Sequence, residues 1–149
     1  MAFLSSFDIS ASGMSAQRMR MDIAAENITN IDTTRTEGGG AYRRKDVVFE
    51  SYGGESFREA MKNALRGKGF KSSPAGVRVA DIVEDDREMK QVYNPNHPDA
   101  DENGFVTMPN VDLLKETVDS MSATRSYEAN VTALNAMKLM AQKALEIGK

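Results

Sequence analysis

Only a few residues of this sequence have the types and spacing that reactive or ligand-binding chemistry requires, and most of them fall in one loop. Asp99-Ala100-Asp101-Glu102-Asn103-Gly104 places side-chain oxygens at alternate positions before a glycine, as in the first half of a calcium-binding EF-hand loop. The twelfth position, which should be a bidentate glutamate, is Asn110, and Pro95, Pro98 and Pro109 interrupt the flanking helices such a loop needs. The expected structure is an acidic turn. A secreted calcium-binding module stands as the competing reading, to be tested by metal titration. His97 lies between Asn96 and Pro98 with no Gly-x-Ser-x-Gly elbow to serve a hydrolase, and reads as a loop histidine holding a structural hydrogen bond. Gly67-Lys68-Gly69 lacks the second glycine and the Lys-Ser/Thr of a phosphate-binding loop and reads as a flexible turn. Cysteine is absent, which removes disulfides, thiolate zinc sites and cysteine nucleophiles. Without a convergent acid, base and nucleophile set, we expect no enzyme, no cofactor, no metal and no small-molecule substrate.

The elements that would carry these residues belong to a chain of 149 residues, 40% hydrophobic and 28% charged, the composition of one ordinary globular domain. Nineteen Lys and Arg against 22 Asp and Glu leave a net charge of −3, which argues against a nucleic-acid partner. Met1-Ala2-Phe3-Leu4-Ser5-Ser6-Phe7-Asp8 has neither the basic start nor the apolar stretch of a cleavable secretory signal, so none is expected. No stretch approaches the ~20 apolar residues that span a bilayer, and no membrane insertion is expected. A cysteine-free chain suits the cytosol and an exported protein alike. Ten methionines without tryptophan suit adaptable helix packing.

Ala2 to Ile31 has a helical pattern. Phe7, Met14, Met21 and Ile28 recur every seven residues, the repeat of a left-handed coiled-coil seam. Ser5, Ser6, Ser10, Ser12, Ser15 and Gly13 weaken the helix, so residues 2–31 are expected to have low helicity until a partner surface orders them. Asp32 to Gly40 is a break. Tyr42 to Phe49 predicts a strand closed by Gly53-Gly54; Phe57, Met61, Ala64 and Leu65 predict a short helix; Gly67 to Gly76 predicts a loop; Val77 to Val83 predicts a second strand, and Val92-Tyr93 begins a third. Asn94 to Asn110, with its three prolines, cannot be a continuous helix.

Val111 to Ile147 contains neither proline nor glycine. With Asn110 as N-cap and Asp112 in the first turn, it predicts a helix of roughly 55 Å, longer than the roughly 40 Å diameter of a globule of this size. Val111, Leu114, Val118 and Met121 share one face; Tyr127, Val131, Leu134, Ala141 and Leu145 share a face rotated by roughly 180°. Apolar stripes on different faces call for more than one neighbour. The terminal helices can cover one stripe for each other, and other subunits must cover the rest.

The expected fold is therefore mainly α, with N- and C-terminal helices forming a coiled-coil-like inner core around a small β-rich middle element. Its boundaries are 1–33 for the N-terminal helix, 34–108 for the middle region and 109–149 for the long C-terminal helix. The expected packing residues are Phe7, Met14, Met21 and Ile28 against Tyr127, Val131, Leu134 and Leu145. Asn27, Asn30, Asn130 and Asn135 lie among these positions, either fixing register or simply exposed. Arg58, Lys62, Arg66, Lys68 and Lys71 gather positive charge, and Glu84 to Glu88 with Asp99 to Glu102 gather negative charge; such blocks are solvated faces or pair between copies. A cytosolic coiled-coil adaptor is a further competing reading, resting on the heptads alone.

Four stretches resemble the FlgC family of flagellar basal-body rod proteins: Ser12-Gly13-Met14-Ser15-Ala16-Gln17-Arg18 with Ala25-Glu26-Asn27-Ile28-Thr29-Asn30; Asp32-Thr33-Thr34-Arg35-Thr36 with Tyr42-Arg43-Arg44-Lys45; Tyr93 to Val106 with Met108-Pro109-Asn110-Val111; and Arg125 to Gly148. The terminal stretches are shared across rod and hook proteins. The block Pro95-Asn96-His97-Pro98-Asp99-Ala100-Asp101, with Gly104, Pro109 and Asn110, is more specific. Where many relatives double the asparagine, this chain reads Asn27-Ile28-Thr29-Asn30. The resemblance implies a structural subunit of the proximal rod, exported unfolded by the flagellar type III apparatus and assembled in the periplasm. Its implied partners are other rod subunits and copies of itself, with the terminal helices packed as an inner coiled-coil core.

Overall fold

The structure, a computed structural model, describes residues 2–52 and 76–147, together with 58, 61, 62 and 65 between them. Helix α1 (Ala2–Thr29) leads to strand β1 (Lys45–Tyr52), β2 (Gly76–Glu84), β3 (Lys90–Tyr93), β4 (Phe105–Met108) and helix α2 (Leu113–Ile147). The chain is mainly α with small β elements. The expected helix at Phe57 to Leu65 falls largely outside the described residues, although 58, 61, 62 and 65 have helical backbone. The expected closing turn at Gly53-Gly54 and the loop up to residue 75, including Gly67-Lys68-Gly69, Arg66, Lys68 and Lys71, also lie outside them.

The serine-rich start of α1 is helical, with its hydroxyls turned back onto carbonyls of the helix. Ser12 Oγ donates to the Ile9 carbonyl at 2.7 Å and Ser15 Oγ to that of Ala11 at 3.1 Å, so neither competes for the helical N–H groups. At the other end the Glu26 carbonyl accepts both the Asn30 backbone N–H at 3.1 Å and Asn30 Nδ2 at 3.0 Å.

Helix α2, 35 residues and about 52 Å long, runs antiparallel beside α1: Gly13 lies against Asn130, Met21 against Thr124 and Asn27 against Glu116. Its N-cap is Asp112 and not Asn110. Asp112 Oδ1 accepts the Leu114 N–H at 3.0 Å and its carbonyl accepts that of Glu116 at 3.0 Å. Asn110 was a plausible cap by position, but its side chain is taken by a tertiary contact described below.

β1 and β2 form an antiparallel ribbon in register from Lys45↔Glu84 to Tyr52↔Gly76, with a bulge where Val48 and Phe49 pair with Asp81 and Val79. The ribbon lies on α1, where Ser12 Oγ accepts the Val77 N–H at 3.1 Å. β1 starts three residues later than expected, because Tyr42 and Arg44 leave the strand path to reach Asn27 and Glu116 of the helix pair, while Arg43 turns to the Asp85 carbonyl. The second hairpin pairs Lys90↔Met108 through Tyr93↔Phe105. Its strand β4 was hidden in a segment read as irregular, since Pro95 and Pro98 sit in the connecting loop and Pro109 follows the strand. Among the described residues no helix is long and apolar enough to cross a membrane.

A buried polar clasp between the terminal helices

Two of the most enclosed side chains among the described residues are polar. Asn27 is 0% and Glu116 1% exposed, each facing the other from the clasped end of the helix pair. Asn27 Nδ2 donates to Glu116 Oε2 at 3.0 Å and to the Lys45 carbonyl at 2.9 Å. Its Oδ1 accepts the Lys45 N–H at 2.9 Å and the Tyr42 hydroxyl at 2.9 Å. One amide thus uses its full bonding capacity to join α1, α2 and the start of β1.

Arg44 supplies the charge that makes a buried Glu116 tolerable. Its Nε donates to Glu116 Oε1 at 2.6 Å and its Nη1 to Asp46 Oδ2 at 3.0 Å, while Nη2 lies 3.6 Å from Asp119 Oδ2. Asp119 in turn accepts from Arg20 of α1 at 3.1 Å. Burial acts to lower the Arg44 pKa, but the bonds to Glu116 and Asp46 outweigh it and hold the guanidinium above its ordinary value. Burial, reinforced by Glu26, Glu116 and Glu84, pushes the Tyr42 phenol up to about 12. Lys45 closes the outer side, donating to Glu26 Oε1 at 2.6 Å with its ammonium 5.6 Å from the Tyr42 ring centre.

Asn110 extends the clasp to the β elements. Its Oδ1 accepts the Arg44 N–H at 2.9 Å and its Nδ2 donates to the Asp85 carbonyl at 3.0 Å. The Arg87 side chain and backbone N–H both bond to Asp85, holding that carboxyl down to about 2. Lys90 Nζ donates to the Val111 carbonyl at 2.9 Å, below the fully buried Val111 and Pro109. The clasp has no open substrate pocket and no group aimed at one. It can hold the helix pair, the ribbon and the β3–β4 hairpin at fixed angles, which is mechanical work.

The other predicted residues fall into three groups. Phe7, Met14, Met21, Ile28, Tyr127, Val131 and Leu134 are half-buried along the helix pair, and Leu145 is exposed near its end. The helix residues buried most deeply are Ser10, Ala16, Ile23, Ala24 and Asn27 of α1 and Glu116 and Ala123 of α2. Gly13, Arg20 and Asn27, spaced every seven residues on α1, meet Asn130, Asp119 and Glu116 of α2 in turn. Of the expected stripe Val111, Leu114, Val118 and Met121, Val111 precedes the helix and is buried in the core at 1% exposure, whereas the other three face away, at 77%, 63% and 57%.

The Pro-His-Pro block closes the β3–β4 hairpin. His97 Nδ1 accepts the Asp99 N–H at 3.1 Å, Asp101 Oδ1 accepts those of Asn103 and Phe105 at 2.9 and 2.8 Å, and Asp99 Oδ2 accepts the Thr34 hydroxyl at 2.8 Å. Pro95 and Pro98 are exposed in this loop, and Gly104, at φ +80°, packs under the edge-to-face pair Tyr93–Phe105. Asp101 thus serves the turn itself, and Asp99 ties the turn to Thr34. Among the described residues no three His, Asp or Glu side chains are gathered as a metal site. Asn30 bonds back to the Glu26 carbonyl and accepts the Thr33 hydroxyl at 3.1 Å.

Sequence reasoning missed Glu116, Arg20 and Asp119 as a set. The available signal was the seven-residue spacing of Gly13, Arg20 and Asn27, which runs beside the apolar line Phe7, Met14, Met21 and Ile28.

A family model described as flagella basal body rod protein matches residues 7–35, and one described as the C-terminal region of flagellar basal body rod FlgEFG proteins matches 102–147. The matches cover both helices and the clasp residues Asn27, Asn110 and Glu116. Over 148 residues, 97% of each chain, the sequence is 50% identical to the flagellar basal-body rod protein FlgC of Bacillus subtilis. It is 42% identical over the full length of both chains to that of Escherichia coli O6:H1. It is 38% identical, over 99% of this chain and 98% of the relative, to that of Borreliella burgdorferi.

Proposed function

This chain belongs to the FlgC family of flagellar basal-body rod proteins, and we propose that it is a structural subunit of the proximal rod, joined to its neighbours by the terminal helices. It works without catalysis, as part of the torque-transmitting shaft and the wall of the export channel. Other rod subunits and further copies of this chain are its partners in the basal body, across the periplasm. The flagellar type III apparatus delivers it unfolded, and it folds after export.

The observation that carries this reading is the apolar surface the helices leave in water. Leu114, Val118 and Met121 form one such stripe, and Leu139, Met140 and Leu145 stand out near the end of α2. Burying each contributes ~1.5–3 kcal/mol, enough in sum to hold subunits together in a shaft. The half-buried Phe7, Met14, Met21, Ile28, Tyr127, Val131 and Leu134 add their remaining outer surface to the contacts between subunits, coiled-coil fashion, and Leu145 adds the whole of its side chain.

Val118→Asp and Met21→Asp test it. Val118 is exposed, so its replacement should leave the isolated chain as stable as before, within about 0.5 kcal/mol. Neither variant should enter the rod, and cells carrying either should not swim. Normal swimming with Val118→Asp would overturn the proposed interface.

A further inference from the structure

We propose that Asn103 is a site of spontaneous covalent modification, its deamidation, which the folded β3–β4 turn holds in check. Asn103-Gly104 is the one place in the sequence where an asparagine precedes a glycine. In such a pair the glycine nitrogen, unshielded by a side chain, gives its proton to solvent base and attacks Cγ of the asparagine amide. A Cγ–N bond forms, the Cγ–Nδ2 bond breaks and ammonia leaves. Water then opens the cyclic imide at either carbonyl, giving aspartate or an isoaspartate whose backbone is one methylene longer. Solvent supplies every reactant.

Asn103 is exposed in the β3–β4 connection, and the turn itself demands the glycine. Gly104 sits at φ +80°, and a Cβ there would stand 2.9 Å from the Tyr93 ring. The same turn withholds the nucleophile, because the Gly104 N–H donates to the Asp101 carbonyl at 3.0 Å. The Asp101 side chain braces the peptide units on either side. Its Oδ1 accepts the Asn103 N–H at 2.9 Å and the Phe105 N–H at 2.8 Å. Further along the hairpin the Asp101 N–H donates to the Phe105 carbonyl and the Asn94 N–H to the Gly104 carbonyl, both at 2.9 Å. Ring closure swings the Gly104 nitrogen toward the Asn103 side chain, so these bonds must open first, and the folded chain reacts only through that opened minority. Asp101 is thus a positioning residue that guards the site. An isoaspartate would lengthen the backbone between two N–H groups that share one Asp101 oxygen, and the turn could not reclose on both. The modification therefore records time spent unfolded.

The purified full-length chain, incubated in mildly alkaline buffer with and without concentrated guanidinium chloride, tests this by peptide mass spectrometry. In the denaturant Asn103 should convert faster than every other asparagine, partly to isoaspartate. In buffer alone its conversion should be at least about tenfold slower. Asp101→Ala should raise the rate in buffer severalfold and leave the rate in denaturant unchanged, whereas Asp101→Asn, which keeps the Oδ1 acceptor, should retain the slow rate. Circular dichroism separates a loosened turn from a chain that has failed to fold. Conversion of Asn103 in denaturant no faster than that of the other asparagines would overturn the site, and equal rates in buffer and denaturant would overturn its protection by the turn. An unchanged rate in folded Asp101→Ala would remove Asp101 as the guard. Rod assembly enters none of these readouts, so failure here is separate from failure of the rod reading.

Discussion

Replacing Glu116 by leucine is the sharpest test of the clasp. The substitution leaves Arg44, itself buried, without the carboxylate 2.6 Å from its Nε, and leaves Asn27 Nδ2 without one of its two acceptors. Breaking a buried pair by removing one partner costs ~3–5 kcal/mol. Asp46 at 3.0 Å and Asp119 at 3.6 Å still face the guanidinium, so the expected loss is about 3 kcal/mol, a large share of the ~5–15 kcal/mol that holds a typical domain together. Glu116→Gln keeps an acceptor for both partners and should cost less, about 1–2 kcal/mol. Removing both charges in Glu116→Leu/Arg44→Met abolishes the unpaired ion, and the double variant should lose at least about 1 kcal/mol less than the sum of the two single losses. Urea denaturation followed by circular dichroism gives each value. A loss below about 1 kcal/mol for Glu116→Leu, or strict additivity in the double variant, would refute the clasp as the joint between the helices.

Asp85 is held down to about 2 against ~3.9 in an unfolded chain, so its contribution to stability is complete above pH ~4 and is lost as pH falls towards 2; Asp85→Asn should flatten that acid limb in pH-dependent denaturation. Tyr42, raised to about 12 from ~10, stabilises the folded chain below pH ~10 and ceases to do so as pH rises towards 12. Ultraviolet titration should show one tyrosine ionising after the others, a step missing in Tyr42→Phe. Gly104→Ala forces a side chain to φ +80°, 2.9 Å from the Tyr93 ring, and should cost ~1–3 kcal/mol in thermal denaturation.

What the sequence exposed and what it concealed follow from what each residue is paid attention for. Hydrophobic spacing marked both helices, because Phe7, Met14, Met21 and Ile28 or Tyr127, Val131 and Leu134 have no other periodic reading. β-branched runs at Val47-Val48 and Val77 to Val83 marked the ribbon. β4 was concealed because the prolines beside it outweighed Phe105-Val106, two residues too short to carry a strand signal. The clasp was concealed for a different reason. A glutamate in the first turn of a helix is satisfied by the helix dipole alone, and an arginine before a strand looks like surface. Only a tertiary contact from Tyr42-Arg43-Arg44-Lys45 to residue 116 makes them core. Asn27 stood out through family resemblance, but its four bonds depend on that same long-range contact. Asn110 showed the reverse, since its local cap role yielded to Asp112 once Arg44 and Asp85 engaged its amide.

A cryo-electron map of the assembled basal body, detailed enough to place side chains, shows directly whether the apolar stripe that the single chain leaves in water is covered in the shaft. Leu114, Val118 and Met121 of each copy should be enclosed by helices of adjoining subunits; a map in which these three side chains face solvent would rule the proposed interface out.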